Sequence, residues 1–254
     1  MYRLEYSDLL GRHVRKDDWK DLGVPTWTLI KQALNEKKRN QALELLDNLF
    51  REHGCLDVVD RLNKCLSYIA RNHGEEDVAK ALRWWRANLQ KADDVVKALS
   101  LEELIQYQTE ELRFGFTGPG GRGSFSVDEE KDKFVLSLDP CQVGRMRRTK
   151  KINPAFEIGT TKDPHPWTWG KADVPYYCAR CCIWWEIMPI EERGYPVRIH
   201  EYPDDPEDPC RIIYYKTPGK IPEGCFTRIG FSKKASKAAV KRSGRQPEAK
   251  TNKR

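Results

Sequence analysis

The sequence has no long hydrophobic run, and this absence predicts a protein without membrane spans. Charged residues make up 33% of the chain and interrupt its apolar stretches, whereas a membrane-spanning helix needs about 20 consecutive apolar residues. Residues 1–13 also lack the apolar core of a secretory signal. We therefore expect a cytoplasmic protein that does not bind membranes. Thiols stay reduced in that compartment, so the cysteines are not expected to form disulfides.

Most of the chain also lacks an excess of basic residues, although the net charge is +7. The segment 233–254 holds nine Lys and Arg against one Glu, while the rest of the chain holds 36 basic and 37 acidic residues. A tail of this Lys/Ala/Ser composition, without aromatic residues, is typical of disorder. We interpret it as a solubilising terminus, with any nucleic-acid contact being non-specific. We expect no specific nucleic-acid partner, and the oligomeric state stays open.

Pro and Gly are scarce before residue 112 and frequent after it. This shift predicts three parts: a helical region over 1–112, an α+β small-molecule-binding domain over 113–232, and the basic disordered tail over 233–254. Only the second part combines frequent Pro and Gly residues, predicted strands and clustered cysteines. We therefore look for function there.

The first part carries apolar residues three and four positions apart, which predicts amphipathic helices. His53 and His73 are each followed by Gly at the end of a predicted helix, so we interpret both as helix-end residues and not as ligands. Ser100-Leu-Glu-Glu103 has the form of a capping box. The predicted helices cover residues 26–37, 40–53, 56–73, 75–89 and 101–112.

The second part alternates strands and turns around one helix. Residues 124–128 and 133–139 alternate with period two and predict a hairpin, and residues 195–202 and 210–216 predict another. A helix is predicted between the hairpins, from about Val174 to Glu192. The predicted fold class is therefore α+β, with a helical N-terminal layer followed by a small antiparallel sheet covered by one Cys-rich helix.

Five of the eight cysteines lie in one segment of this second part, from Cys141 to Cys210. Cys178, Cys181 and Cys182 are spaced so that one face of the helix would carry all three sulfurs. Cys141 follows the second predicted strand and Cys210 opens the last one. If the helix crosses these strand ends, the thiols converge in one pocket.

Two short motifs in this part resemble a known family. Asp208-Pro-Cys-Arg-Ile-Ile-Tyr214, and more loosely the helix from Tyr177 to Trp185, are similar to the L-2-amino-thiazoline-4-carboxylate hydrolase-like family, over roughly residues 112–230. The resemblance implies a hydrolase-type pocket for a small molecule, without fixing the substrate. We expect a small organic acid or an N/S heterocycle.

The cysteine cluster has a catalytic interpretation. A thiol such as Cys178 or Cys182 would attack a carbonyl or imine carbon, with His165 or Glu186 as the general base. Cys178 is our first choice because it lies near the positive end of the helix dipole, where a thiol pKa falls. The protein would then be a thiol- or metal-assisted hydrolase-type enzyme.

Two other interpretations stay open. Cys141, Cys178, Cys181 and Cys210 would supply four sulfurs for zinc or an iron–sulfur cluster, although a second Cys-x-x-Cys pair is absent. A structural zinc would suit a non-enzymatic ligand-sensing or interaction module. Alternatively, the cysteines form a buried seam, since free Cys is among the most buried residue types.

Side chains suited to an anionic or planar ligand flank the cluster. Arg145, Arg147 and Arg148 follow Cys141, and guanidinium groups match carboxylates and phosphates. Trp167 and Trp169 lie in a Pro-restrained loop beside His165, where they would cover a ligand as a lid or pack the loop onto the sheet.

Overall fold

The structure is a computed structural model of the 254-residue chain. It describes residues 3–8, 12–53, 56–89, 98–113, 124–139, 141, 159–205 and 207–233. Arg145, Arg147, Arg148 and the tail beyond Lys233 lie outside these ranges. Lys233 itself, which we assigned to the tail, donates through Nζ to the carbonyl oxygens of Gly219 (2.9 Å) and Ile221 (2.5 Å).

A two-stranded antiparallel hairpin that the sequence did not predict opens the described chain. It consists of β1 (Arg3–Ser7) and β2 (Arg12–Lys16). Arg15 of β2 is fully buried and pairs with Asp17 at 2.6 Å. Its guanidinium also donates to Oγ1 of Thr26 at 2.7 Å. The hairpin is thereby joined to Thr26, the first residue of the helix Thr26–Asn35.

The helices of the first part confirm the predictions to within about two residues at each end. Gly74 has φ +97°, as expected for a glycine that ends a helix. Ser100 and Glu103 form the predicted capping box, with bonds of 2.9 and 3.2 Å. The helices are α1 (Thr26–Asn35), α2 (Arg39–His53), α3 (Leu56–His73), α4 (Glu75–Ala87) and α5 (Leu101–Arg113).

Both predicted hairpins of the second part form, and they join into one four-stranded antiparallel sheet. The strands lie in the order β3, β4, β6, β5. The α+β class with a small antiparallel sheet is confirmed. The strands are β3 (Ser124–Glu129), β4 (Lys133–Asp139), β5 (Ile199–Glu201) and β6 (Cys210–Tyr215).

The predicted cysteine-bearing helix is present, but it is not a regular α-helix throughout. It consists of α6 (Tyr176–Cys182), a π-helical turn (Ile183–Ile187) and α7 (Met188–Arg193). A π turn inserts a residue and changes the direction of the side chains that follow; such turns are frequent at functional sites. Pro175 is the N-cap of α6.

Neighbouring residues of β6 point to opposite sides of the sheet and pack in different cores. Ile213 shares a core with Trp185 of the π turn and with Leu82 of α4. Ile212 belongs to a second core that contains Ile105 of α5. The sheet is therefore covered on both faces at β6, by the cysteine-bearing helix on one side and by α5 on the other. The period of two along a strand explains why one strand can serve both cores.

Shorter elements complete the described chain. Three are 3-10 turns at Trp19–Asp21, Pro166–Thr168 and Pro218–Lys220, and α8 (Gly224–Thr227) is the last helix. Within the described ranges, every helix is too short or too polar to cross a membrane.

Candidate functional site: a cysteine cluster beside a buried histidine

The register of the sheet brings the two strand-end cysteines together. Leu138 of β4 pairs with Cys210 of β6, and Cys141 follows Leu138 closely along the chain. The thiols of Cys141 and Cys210 form a hydrogen bond, which together with burial raises the pKa of Cys210 well above its usual range. A thiol in this state is protonated at neutral pH and is a poor nucleophile.

The cysteine-bearing helix adds two more thiols to this pair. Cys178 and Cys181, one turn apart on α6, both lie close enough to Cys210 to raise its pKa further. The four predicted metal ligands therefore lie in the same region of the fold. However, in the described part of the chain no group of three or more His, Cys, Asp and Glu residues has an arrangement that could hold a metal ion. The metal site stays a prediction.

Cys182 has different surroundings from its two helical neighbours. It is fully buried, and its Sγ lies 3.6 Å from the carbonyl oxygen of Pro166. Burial, followed by the negative charge of Glu186, raises the pKa of this thiol well above its usual range. This environment does not favour the thiolate that a nucleophile requires.

His200 is the residue that sequence reasoning missed. It lies in β5, where it pairs with Ile212 of β6, and its side chain is only 1% exposed. The imidazole contacts the thiol of Cys181, and its Nδ1 is 3.4 Å from Oε1 of Glu186. Neither ring nitrogen has a well-aligned hydrogen-bond partner among the described residues. A base beside a thiol, backed by a carboxylate, is the arrangement used by thiol nucleophiles.

Cys181 is the thiol whose surroundings favour ionisation. Burial alone would raise its pKa, but the contact with His200 and the positive charges of Arg180 and Arg198 together outweigh burial. The pKa of Cys181 is lowered to about 7 as a result. Unlike Cys178 and Cys182, this residue is also partly exposed. Structure and electrostatics therefore favour Cys181 over Cys178, our first choice from the sequence.

Glu186 lies in the π turn and is fully buried. Its Oε1 accepts hydrogen bonds from Nε1 of Trp169 (2.9 Å) and from the backbone N–H of His200 (2.8 Å). Its Oε2 accepts one from Nη2 of Arg228 (2.6 Å). Burial would raise the pKa of Glu186, but His200 and Arg228 outweigh it and lower the pKa. An ionised carboxylate with this many donors is suited to hold His200 in place, not to act as a general base itself.

The predicted general base His165 is engaged elsewhere. Its Nε2 is 2.7 Å from Oε2 of Glu75, and its Nδ1 is 3.3 Å from Oε1 of Glu76. Glu75 also accepts a hydrogen bond from the hydroxyl of Tyr176, at 2.8 Å. These contacts join the first turn of α4 to the loop that precedes α6. His165 therefore connects two parts of the fold.

The two predicted lid tryptophans are buried in the main core. Trp167 is 7% exposed and stacks on His165, with 4.4 Å between ring centroids. Trp169 is 6% exposed and stacks on Tyr202 at 5.2 Å. Burial of both indoles is expected if the tryptophans pack their loop onto the sheet, and not if they form a lid over a ligand. Trp169 also contributes to the site, because its indole N–H is one of the three donors to Glu186.

Comparison of the chain with known protein families, with characterised proteins and with solved structures finds no match. The geometry of the site itself is therefore the basis for its function: the buried His200 contacts both the partly exposed Cys181 and the buried Glu186.

Proposed function

We propose that the protein is a small-molecule enzyme of the hydrolase type, with Cys181 as the nucleophile and His200 as its base. The observation that supports this most directly is the position of the His200 imidazole, between the Cys181 thiol and the Glu186 carboxylate. A nucleophile, a base and a group that orients the base are the parts that thiol catalysis needs. The family resemblance around Cys210 is in line with this proposal.

The reaction would begin with transfer of the Cys181 proton to His200. The sulfur attacks an electrophilic carbonyl or imine carbon of the substrate, so that an S–C bond forms. The C–N or C–S bond to the leaving group breaks, and the leaving group takes the proton from His200. Water then attacks the carbon with His200 as the base, the S–C bond breaks, and the Cys181 thiol is restored.

Glu186 would be a positioning residue in this scheme. Its negative charge stabilises the imidazolium that forms when His200 is protonated, and its bond to the His200 backbone holds the strand against the π turn. Arg228 keeps the carboxylate ionised at the pH where the thiolate forms.

The first test is alkylation by iodoacetamide at neutral pH, followed by mass spectrometry. Cys181 should label faster than Cys225, a partly exposed cysteine whose pKa is raised by burial. The substitution His200→Gln should slow labelling of Cys181 but not that of Cys225. Equal labelling rates for Cys181 in the wild type and in this variant would contradict the role of His200.

A second test asks for turnover. Wild-type protein would be incubated with 2-amino-thiazoline-4-carboxylate, the substrate type that the resemblance implies, and with related cyclic and open-chain amides. Loss of substrate that Cys181→Ser abolishes and Cys225→Ser leaves intact would support the enzyme. Equal turnover in the two variants would contradict it.

We propose as a second candidate a non-enzymatic module in which the four clustered thiols bind structural zinc or an iron–sulfur cluster. The proximity of Cys141, Cys178 and Cys181 to Cys210 favours it. Metal analysis and a visible spectrum of protein purified without added metal distinguish the two candidates. Stoichiometric metal, together with labelling of Cys181 only after addition of a chelator, would favour the metal module over the enzyme.

A further inference from the structure

A small cavity, distinct from the cysteine cluster, lies between α5, the end of α7 and the ends of β5 and β6. Its volume is about 250 Å³, below the roughly 300–1,000 Å³ of sites for drug-sized ligands. Its walls are apolar on several sides, with contributions from Leu104, Val197 and Ile213. The polar groups at its wall are mainly basic, and they determine which ligands would fit.

Arg198 is the most buried of these basic residues, with 5% of its surface exposed. Its Nη1 donates to the side chains of Gln108 and Tyr214, and its guanidinium lies 4.2 Å from the ring centroid of Trp185. Its Nε is buried and has no hydrogen-bond partner among the residues that the structure describes. A buried donor without a partner is costly, because it has lost its water without gaining a replacement.

Arg193, the last residue of α7, also lines the cavity. Its guanidinium lies 5.2 Å from the ring centroid of Tyr195, and its buried Nε likewise lacks a hydrogen-bond partner in the described part of the chain. Burial lowers the pKa of Arg193 even though Glu192 is nearby. The charge of this guanidinium is therefore poorly compensated within the protein.

Further basic groups reinforce the positive charge around the cavity. Arg86, which is itself partly buried, has a pKa lowered first by burial; Glu192 opposes this effect, whereas Arg193, Arg180 and Arg198 add to it. Lys216 lines the cavity too, but it is paired with Glu129 at 2.7 Å. Among the described residues that line the cavity, the buried donors without a partner are thus Nε of Arg193 and Nε of Arg198.

We propose that this cavity binds a small organic carboxylate, whose charged end accepts hydrogen bonds from Arg193 and Arg198 and whose apolar end contacts Leu104, Val197 and Ile213. Guanidinium groups bind carboxylates in a planar, bidentate geometry. The small volume restricts the ligand to about the size of a single-ring acid. Binding at this site goes beyond the proposed function, since it requires no chemistry at Cys181.

Benzoate is a suitable probe because it combines one carboxylate with one planar apolar ring, and benzamide is its neutral counterpart. Titration calorimetry on the full chain should show saturable binding of benzoate, and no binding of benzamide. Arg193→Gln should weaken benzoate binding by about tenfold or more, since it removes a charged hydrogen bond. Arg211→Gln is the matched control: it makes the same change at an exposed arginine of β6 that does not line the cavity.

Folding of each variant is checked by circular dichroism, and Arg193 is preferred to Arg198 because Arg198 also bonds to Gln108 and Tyr214. Cys181→Ser should bind benzoate like the wild type, so failure of the proposed enzyme chemistry would not remove this binding. Three results would each overturn the proposal: benzoate affinity weaker than about 1 mM, equal affinity for benzamide, or equal weakening by Arg193→Gln and Arg211→Gln.

Discussion

The buried ion pair between Glu186 and Arg228 provides the most direct test of the site's architecture. The perturbation is Glu186→Gln, which keeps the size of the side chain and an acceptor for Trp169 and His200 but removes the charge. Breaking a buried pair by neutralising one partner costs about 3–5 kcal/mol. The Arg228 side chain is 27% exposed, so water can compensate part of its charge. We therefore expect a loss of about 3 kcal/mol in the free energy of unfolding.

A matched control is available in the same helical segment. Glu191 of α7 forms two hydrogen bonds with Arg83 of α4, at 2.7 and 2.9 Å, but both side chains are substantially exposed. Exposed pairs contribute about 0–1 kcal/mol. Glu191→Gln makes the same chemical change and should therefore be several-fold less destabilising. Urea unfolding at pH 7 measures both free energies.

The effect of Glu186→Gln should also depend on pH. The pKa of Glu186 is lower in the folded protein than its unfolded value of about 4.3. As the pH falls through this range, the unfolded state takes up the proton first, and the wild type loses the stabilisation that the carboxylate provides. The difference between wild type and variant should be complete at neutral pH and shrink as the pH falls below about 4. A difference under 1 kcal/mol at pH 7, or equal losses for Glu186→Gln and Glu191→Gln, would refute the reasoning.

Three further predictions concern other parts of the chain. The rate of Cys181 alkylation should rise with pH along a single titration centred near its pKa of about 7, whereas Cys182 should stay unreactive until the protein unfolds. Equal alkylation rates for Cys181 and Cys182 in the folded protein would contradict this. Ser100→Ala should cost about 1 kcal/mol of stability in urea unfolding, because it removes one half of the capping box. Removal of residues 234–254 should leave the melting temperature within about 2 °C of the wild type, since the tail has no apolar periodicity, while a larger decrease would show that the tail contributes to stability.

Local patterns in the sequence were enough to predict the helices of the first part and the strands of the second part. The spacing of apolar residues predicted α2 and α3, and the alternation in β3 and β4 predicted their hairpin. In contrast, the first hairpin was missed. Its strands are short and rich in charged residues, and one of those charges, Arg15, is buried only because Asp17 and Thr26 supply partners. A sequence pattern does not show that a charge is compensated in this way.

The sequence by itself determined that Cys141 follows one strand and that Cys210 opens another. That the two thiols meet was decided by the tertiary structure, because β4 of the first hairpin pairs with β6 of the second. Only the tertiary structure decided which thiol is activated. That choice depends on His200 and Glu186, which belong to a different strand and to a π turn, and on the burial that separates Cys182 from Cys181. A pKa depends on distances between charges and on exclusion of water, and both are properties of the folded chain.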